Sequence, residues 1–197
     1  MKMVKNLIMS CTAALVLTGC VASSPTFSTT LKGQNNQPVN ALYTKLYEGM
    51  ADTSGFDRVH EGVNLVSLEK EFRSPETYVT YPAGQYIGMF QRTMDKDPKV
   101  LKTYNNKIEV SIDGKKETVY CGKNERYDVH LFDKYYNHYS ETTCEVDKDL
   151  IKKMMGAQSE LSVTVSYSEG GKKILPLNLE TLPGLQQHVD FRVQGNY

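Results

Sequence analysis

Ile108-Glu109-Val110-Ser111-Ile112-Asp113-Gly114-Lys115-Lys116-Glu117-Thr118-Val119-Tyr120-Cys121 is the stretch that decides the fold. Ile108, Val110 and Ile112 alternate with polar residues before Asp113-Gly114, and Val119 and Cys121 alternate after it. Successive side chains of a strand point to opposite faces, so each arm has an apolar face and a wet one. Asp-Gly between such arms is the strongest short hairpin signal, because a two-residue turn of this hand needs positive φ at both positions. An antiparallel hairpin is therefore expected here.

The same signs recur on both sides. Towards the C-terminus, Tyr127, Val129 and Leu131 alternate, and Tyr139 to Val146 reads as a further strand. Asp147 is placed to cap a short helix whose apolar face is Leu150, Ile151, Met154 and Met155, with Gly156 as its stop. Leu161, Val163, Val165 and Tyr167 then alternate, Gly170-Gly171 turns, and Ile174 to Leu179 return as a second hairpin. Pro183 to Val189 reads as a helical turn, and Phe191 and Val193 as an edge strand. Towards the N-terminus, Asp95 to Pro98 reads as a turn, and Gln85–Thr93, Tyr78–Tyr81 and Val63–Leu68 as strands. Val39, Leu42, Tyr43, Leu46, Tyr47 and Met50 recur at three and four residues, which predicts an amphipathic helix. The expected fold is α+β: mainly antiparallel sheet built of hairpins, an N-terminal amphipathic helix, and one short helix near the C-terminal third. The absence of strand–helix alternation excludes a parallel sheet.

The first twenty residues read as an export signal. Lys2 and Lys5 are positive, Leu7 to Leu17 is apolar, and the run closes on Leu17-Thr18-Gly19-Cys20. That run is shorter than the roughly 20 residues a spanning helix needs and suits a secretory signal. Its end resembles the lipobox of bacterial lipoproteins. The resemblance covers about a tenth of the chain and implies cleavage before Cys20, acylation (palmitate) of Cys20, and anchoring to a membrane by several acyl chains. Val21 rather than Asp follows, which in that family favours the outer membrane, with the domain facing the periplasm. The expected organisation is a signal peptide over 1–19, a lipidated flexible tether over 20–38 and a single α+β domain over 39–197. Val21 to Pro38 is rich in Ser, Thr, Asn, Gln and Pro, the composition of a segment with little apolar surface to bury.

Without the signal, 21 Lys and Arg face 23 Asp and Glu, since Lys2 and Lys5 leave the count of 23. That balance carries no electrostatic footprint for nucleic acid. Trp is absent and Tyr numbers 13, a composition suited to half-buried strands and binding surfaces. Cys121 and Cys144 remain after Cys20. In an oxidising periplasm they most simply pair as a disulfide. The alternative is a zinc site with His130 and His138 between them, although the spacing matches no finger pattern.

Catalytic motifs are few. Ser67-Leu68-Glu69-Lys70 matches the S-x-x-K of penicillin-recognising serine enzymes, but their S-D-N and K-T-G elements are missing. A strand would also turn Ser67 and Lys70 to opposite faces. His60, His130, His138 and His188 form no metal pair at helical spacing, and no phosphate loop or dinucleotide fingerprint appears. The sequence therefore implies no cofactor and no metal. Tyr135-Tyr136-Asn137-His138-Tyr139 has the composition of adaptable binding loops, so Tyr135, Tyr136, His138 and Tyr139 are the candidate partner-binding residues. The expected function is a lipid-anchored binding or accessory subunit of an envelope assembly, contacting a protein partner. The alternatives are an envelope polymer hydrolase and a surface adhesin or inhibitor.

Overall fold

The computed structural model describes residues 26–33, 36–52, 59–75, 77–94, 101–132 and 135–194. The strands are β1 (Thr26–Lys32), β2 (Pro38–Asp52), β3 (Val59–Leu68), β4 (Phe72–Arg73), β5 (Thr80–Tyr81) and β6 (Gly84–Thr93). They continue with β7 (Lys107–Ile112), β8 (Lys115–Tyr120), β9 (Glu125–Phe132), β10 (Tyr135–Glu145), β11 (Leu161–Ser166) and β12 (Lys172–Pro176). Two helices, α1 (Lys148–Met155) and α2 (Leu182–Asp190), complete the fold. Six strands form a half-barrel sheet in the order β1-β2-β3-β6-β10-β9, and four form a second sheet in the order β12-β11-β7-β8. All neighbours are antiparallel.

The Asp113-Gly114 hairpin forms as its sequence dictates. Both residues have positive φ, and Ile112 pairs with Lys115 directly across the turn. Asp113 does more than turn the chain. Its carboxylate accepts the backbone N–H groups of Gln158, Ser159 and Glu160, so the β7–β8 turn also anchors the entry to β11. Those donors hold the Asp113 carboxyl well below the usual carboxylate range. Helix α1 is capped by Asp147, whose side chain accepts the Leu150 N–H at 2.7 Å, and it buries Leu150, Ile151 and Met154. Gly156 ends it with right-handed φ, so its role is closing the last turn rather than a left-handed cap. Gly170 and Gly171 turn with positive φ between β11 and β12.

The expected N-terminal amphipathic helix is a strand, and the fold is a mostly antiparallel β structure with two short helices. The periodicity that suggested a helix has a different cause. β2 is buried on both faces over Ala41 to Thr44. Val39, Ala41 and Tyr43 enter a small core with Leu31, Val66, Leu68, Phe72, Tyr81 and Tyr86. Leu46 enters the main core with Val63, Leu65, Ile87 and Met89. The β2–β3 register then slips from Lys45↔Asn64 to Tyr47↔Val63, leaving Leu46 as an extra residue. A one-residue slip reverses which face a strand's side chains take. Leu46 and Tyr47 therefore both pack against the main core, and apolar residues recur at three and four without any helical turn.

Part of the segment read as tether also folds. Thr26–Lys32 pairs with β2 from Thr26↔Thr44 to Lys32↔Pro38. Its composition is polar, but a strand needs apolar residues only at alternate positions. Leu31 is buried in the small core and Phe27 stacks on Tyr43 at 5.6 Å. Phe191–Val193 is not a strand. The residues of the signal peptide, Cys20 and the Asp95–Pro98 turn lie outside the described residues.

The main core fills the space between the two sheets, with α1 and α2 closing it. Odd-numbered residues of β3 and β6 (Val63, Leu65, Ile87, Met89) face that core. Val66, Leu68 and Tyr86 face the other way, into the small core. Hence the six-stranded sheet separates two environments, and the polar clusters described next sort by face.

Candidate functional site

Three buried polar clusters carry the ionisable chemistry. The first joins α2 to the six-stranded sheet. Ser67 Oγ lies 2.8 Å from His188 Nδ1, and Thr44 Oγ1 lies 2.9 Å from His188 Nε2. Gln85 Nε2 donates to Ser67 Oγ at 3.2 Å and to the His188 carbonyl. Both ring nitrogens of the imidazole therefore have hydroxyl partners, and Thr44 is bonded in turn to Thr26 at 2.7 Å. Burial pushes the imidazole down to about 3. This places the Ser of the S-x-x-K stretch against a histidine, a pairing sequence spacing did not suggest. His188 and Ser67 are both 0% exposed, so the pair fastens α2 to the sheet and offers no face to a substrate.

The second cluster surrounds Glu61, which is 0% exposed. Its Oε1 accepts from Tyr167 Oη at 2.8 Å, Gln91 Nε2 at 3.1 Å and Tyr104 Oη at 3.3 Å, and Lys173 Nζ meets Oε2 at 2.6 Å. Burial and this carboxylate push both phenols well up. Tyr104 and Tyr167 bridge each other as an isolated β pair, and Lys173 lies on β12. Glu61 thus ties the half-barrel to the second sheet. A buried carboxylate held in this way is a structural tie, because both of its oxygens already have donors.

The third cluster lies on the opposite face, among tyrosines. Tyr139 on β10 stacks on Tyr127 of β9, with centroids 5.0 Å apart and planes 6° from parallel. Tyr127 Oη donates to Glu141 Oε2 at 2.5 Å. Glu141 is 2% exposed, and with burial it raises the pKa of Tyr127, Tyr43 and Tyr81. Tyr43 lies on β2, three strands from β10 in the sheet order, a lateral distance of about 14 Å at ~4.8 Å per strand. Tyr81 packs on Phe72 and edge-on to Tyr86, both centroid distances being 6.3 Å.

A hollow of about 450 Å³ opens here, with Val79, Tyr81, Pro82, Tyr86, Glu141 and Thr143 among its walls. Lys123, Glu125 and Glu145 also line it, as does Tyr120, which is 74% exposed. Such a space, walled by tyrosine rings and by several charged groups, has the size of a small-molecule site.

The Tyr135–Tyr139 stretch is not a loop. It starts strand β10, across from β9. Tyr139 is buried in the stack with Tyr127, while His138 turns to the other face and meets Asp128 at 2.6 Å. The side chains of Tyr135 and Tyr136 lie outside the described residues. The partner surface expected of these four residues is therefore divided by the strand, and Tyr139 belongs to the tyrosine face. Cys121 and Cys144 are joined, S–S 2.07 Å, so their thiols are not metal ligands. Among the described residues no group of three or more His, Cys, Asp and Glu is arranged to hold a metal ion. No helix among them is long and apolar enough to cross a membrane.

No family model, curated protein or solved structure matches the chain. The site reading therefore rests on the geometry alone. Glu141, Tyr43, Tyr81 and Tyr86 are the residues that sequence reasoning missed. The usable signal was Tyr139-x-Glu141, two residues of one strand face, two positions apart. Their meeting with Tyr43 and Tyr81 depends on strand order, which no local pattern carries.

Proposed function

We propose that this protein is an acylated envelope lipoprotein, anchored through Cys20 to the outer membrane and facing the periplasm, that works as a binding or accessory subunit. The observation that carries the reading is the contrast between its polar clusters. Ser67–His188 and Glu61 are enclosed and saturated, whereas the tyrosine face around Glu141 opens to solvent through a walled hollow. A binding role uses the open site and leaves the closed ones as structural ties. The lipoprotein part rests on Leu17-Thr18-Gly19-Cys20. Five residues separate Cys20 from Thr26, so over six steps of ~3.3–3.6 Å the start of β1 lies within about 22 Å of the acylated residue. That short reach suits a subunit working close to the membrane surface.

The test is crosslinking in intact cells followed by mass spectrometry of what co-purifies with the acylated protein. A single reproducible envelope partner is the expected result. A lone monomer with no crosslinked partner overturns the accessory reading and moves weight to a hydrolase. Incorporation of labelled palmitate, lost in Cys20→Ala, is expected in the same cells; equal labelling of both would refute the anchor.

A further inference from the structure

We infer that the hollow on the tyrosine face is a binding site for a small organic ammonium group, with Glu141 as its anionic anchor. The inference goes beyond the accessory reading and needs no protein partner.

Four observations lead to it. Three carboxylates, Glu125, Glu141 and Glu145, line the hollow against one cation, Lys123, so its field favours a positive guest. The walls supply the rings of Tyr81 and Tyr86, and aromatic faces attract ammonium groups, most strongly where water is excluded. Tyr43, 2% exposed, has a hydroxyl without a hydrogen-bond partner among the described residues. Tyr43 packs in the small core with Tyr81 and Tyr86, both of which line the hollow. Orphaned buried hydroxyls are rare in native proteins, and each calls for a partner such as a water, an ion or a polar guest.

The fourth observation is an unfilled space. Gly88 lies at the middle of β6, paired with Asn64 on one side and with Thr143, a wall of the hollow, on the other. It is buried, and yet a Cβ added there would meet no heavy atom of the described residues within 4 Å. Its missing side chain would point to the same face as Tyr86 and Phe90, two residues away along the strand. Gly88 thus leaves open space on the face it shares with Tyr86, a wall of the hollow. Protein interiors are close-packed, so such a gap in a sheet centre is either a defect or room for a guest. A slender alkyl stem behind an ammonium head has the shape that fits: the head at Glu141, the stem over Gly88 between the tyrosines.

The same chemistry is offered by a free diamine and by the lysine side chain of a peptide, and the test separates them. The mature protein is titrated by calorimetry with putrescine, with acetyl-lysine-amide, with tetramethylammonium and with glucose as a neutral control. Saturable binding of at least one alkylammonium, with none of glucose, is expected. Tighter binding of putrescine identifies a free amine, and tighter binding of the lysine compound a peptide. Glu141→Gln should weaken binding at least tenfold. Gly88→Leu fills the space without touching a charge and should abolish it, while Lys123→Gln should tighten it several-fold at low salt. Binding of glucose alone, no binding of any amine, or undiminished binding by Gly88→Leu would each overturn the inference. Should Glu141→Gln fail to fold, Gly88→Leu and Lys123→Gln still decide the matter. None of these outcomes depends on whether a crosslinked protein partner is found.

Discussion

Acidification should loosen this domain through His188, and the size of the effect follows from its surroundings. The imidazole is enclosed by Ser67, Thr44 and Gln85, and burial depresses it from 6.5 to about 3. A histidine with a lowered folded pKa is neutral in the fold but takes a proton when unfolded. Its contribution is therefore fully present above the unfolded value near 6.5 and is lost as pH falls from there towards about 3. Between pH 8 and pH 5 the unfolded chain gains nearly a full proton that the fold does not bind. The linkage integral over that interval is about 2 kcal/mol. The result barely changes if the folded value is a unit higher, since the fold remains neutral at pH 5 either way. The groups with lowered carboxylate pKa, Asp113, Glu48 and Glu169, act below this window, as their stabilisation fades only when pH falls through the carboxylate range. The assay is urea unfolding at pH 8, 7, 6 and 5, on wild type and His188→Asn. Asn keeps an acceptor near the Nδ1 position and has nothing to protonate. Wild type should lose about 2 kcal/mol more than the variant across the interval, or about 4–8 °C in midpoint for a domain of this size. Parallel pH profiles for the two proteins would refute the argument that a buried neutral imidazole holds α2 to the sheet.

Three further outcomes follow from packing and charge. Gly184→Ala would place a Cβ 2.1 Å from Thr26 Oγ1, so α2 must shift off β1 and the domain should lose about 1–3 kcal/mol. Adding Thr26→Ala should recover most of that loss in thermal melts, and no recovery would count against the contact. Lys173→Met strips the cation from buried Glu61 and should cost about 3 kcal/mol, the low end for a broken buried pair because Lys173 is partly exposed. Combining it with Glu61→Gln should restore part of the stability, and a variant as stable as wild type would show that the tie between sheets contributes little. Replacing the disulfide by Cys121→Ser with Cys144→Ala should lower stability by about 3 kcal/mol, from the 23-residue separation it closes. Identical melting of wild type with and without reductant would contradict that.

Local chemistry was enough to read the hairpins. Asp113-Gly114, Gly170-Gly171 and the Asp147 cap each depend on residues within a few positions of one another, and each forms as its sequence implies. The pairing of Cys121 with Cys144 was also legible, because only two cysteines remain after Cys20. The helix expected over Val39–Met50 was misread for a physical reason. A strand buried on both faces, with one residue slipped out of register, produces the same three-and-four spacing as a helix. β1 was missed because an edge strand can fold with two apolar side chains, Phe27 and Leu31, when its partner supplies the hydrogen bonds.

What the sequence determined by itself was the antiparallel, hairpin-built character of the chain, the α1 helix and the cysteine bridge. All of these arise from short-range turn, cap and alternation rules. The strand order was decided only by the tertiary structure, and with it every polar cluster. Ser67 and His188 are 121 positions apart, Glu61 and Lys173 are 112 apart, and Tyr43 reaches the field of Glu141 from three strands away. Side chains so distant in the chain meet because sheet pairing and burial on two faces bring them together, and those are properties of the whole fold.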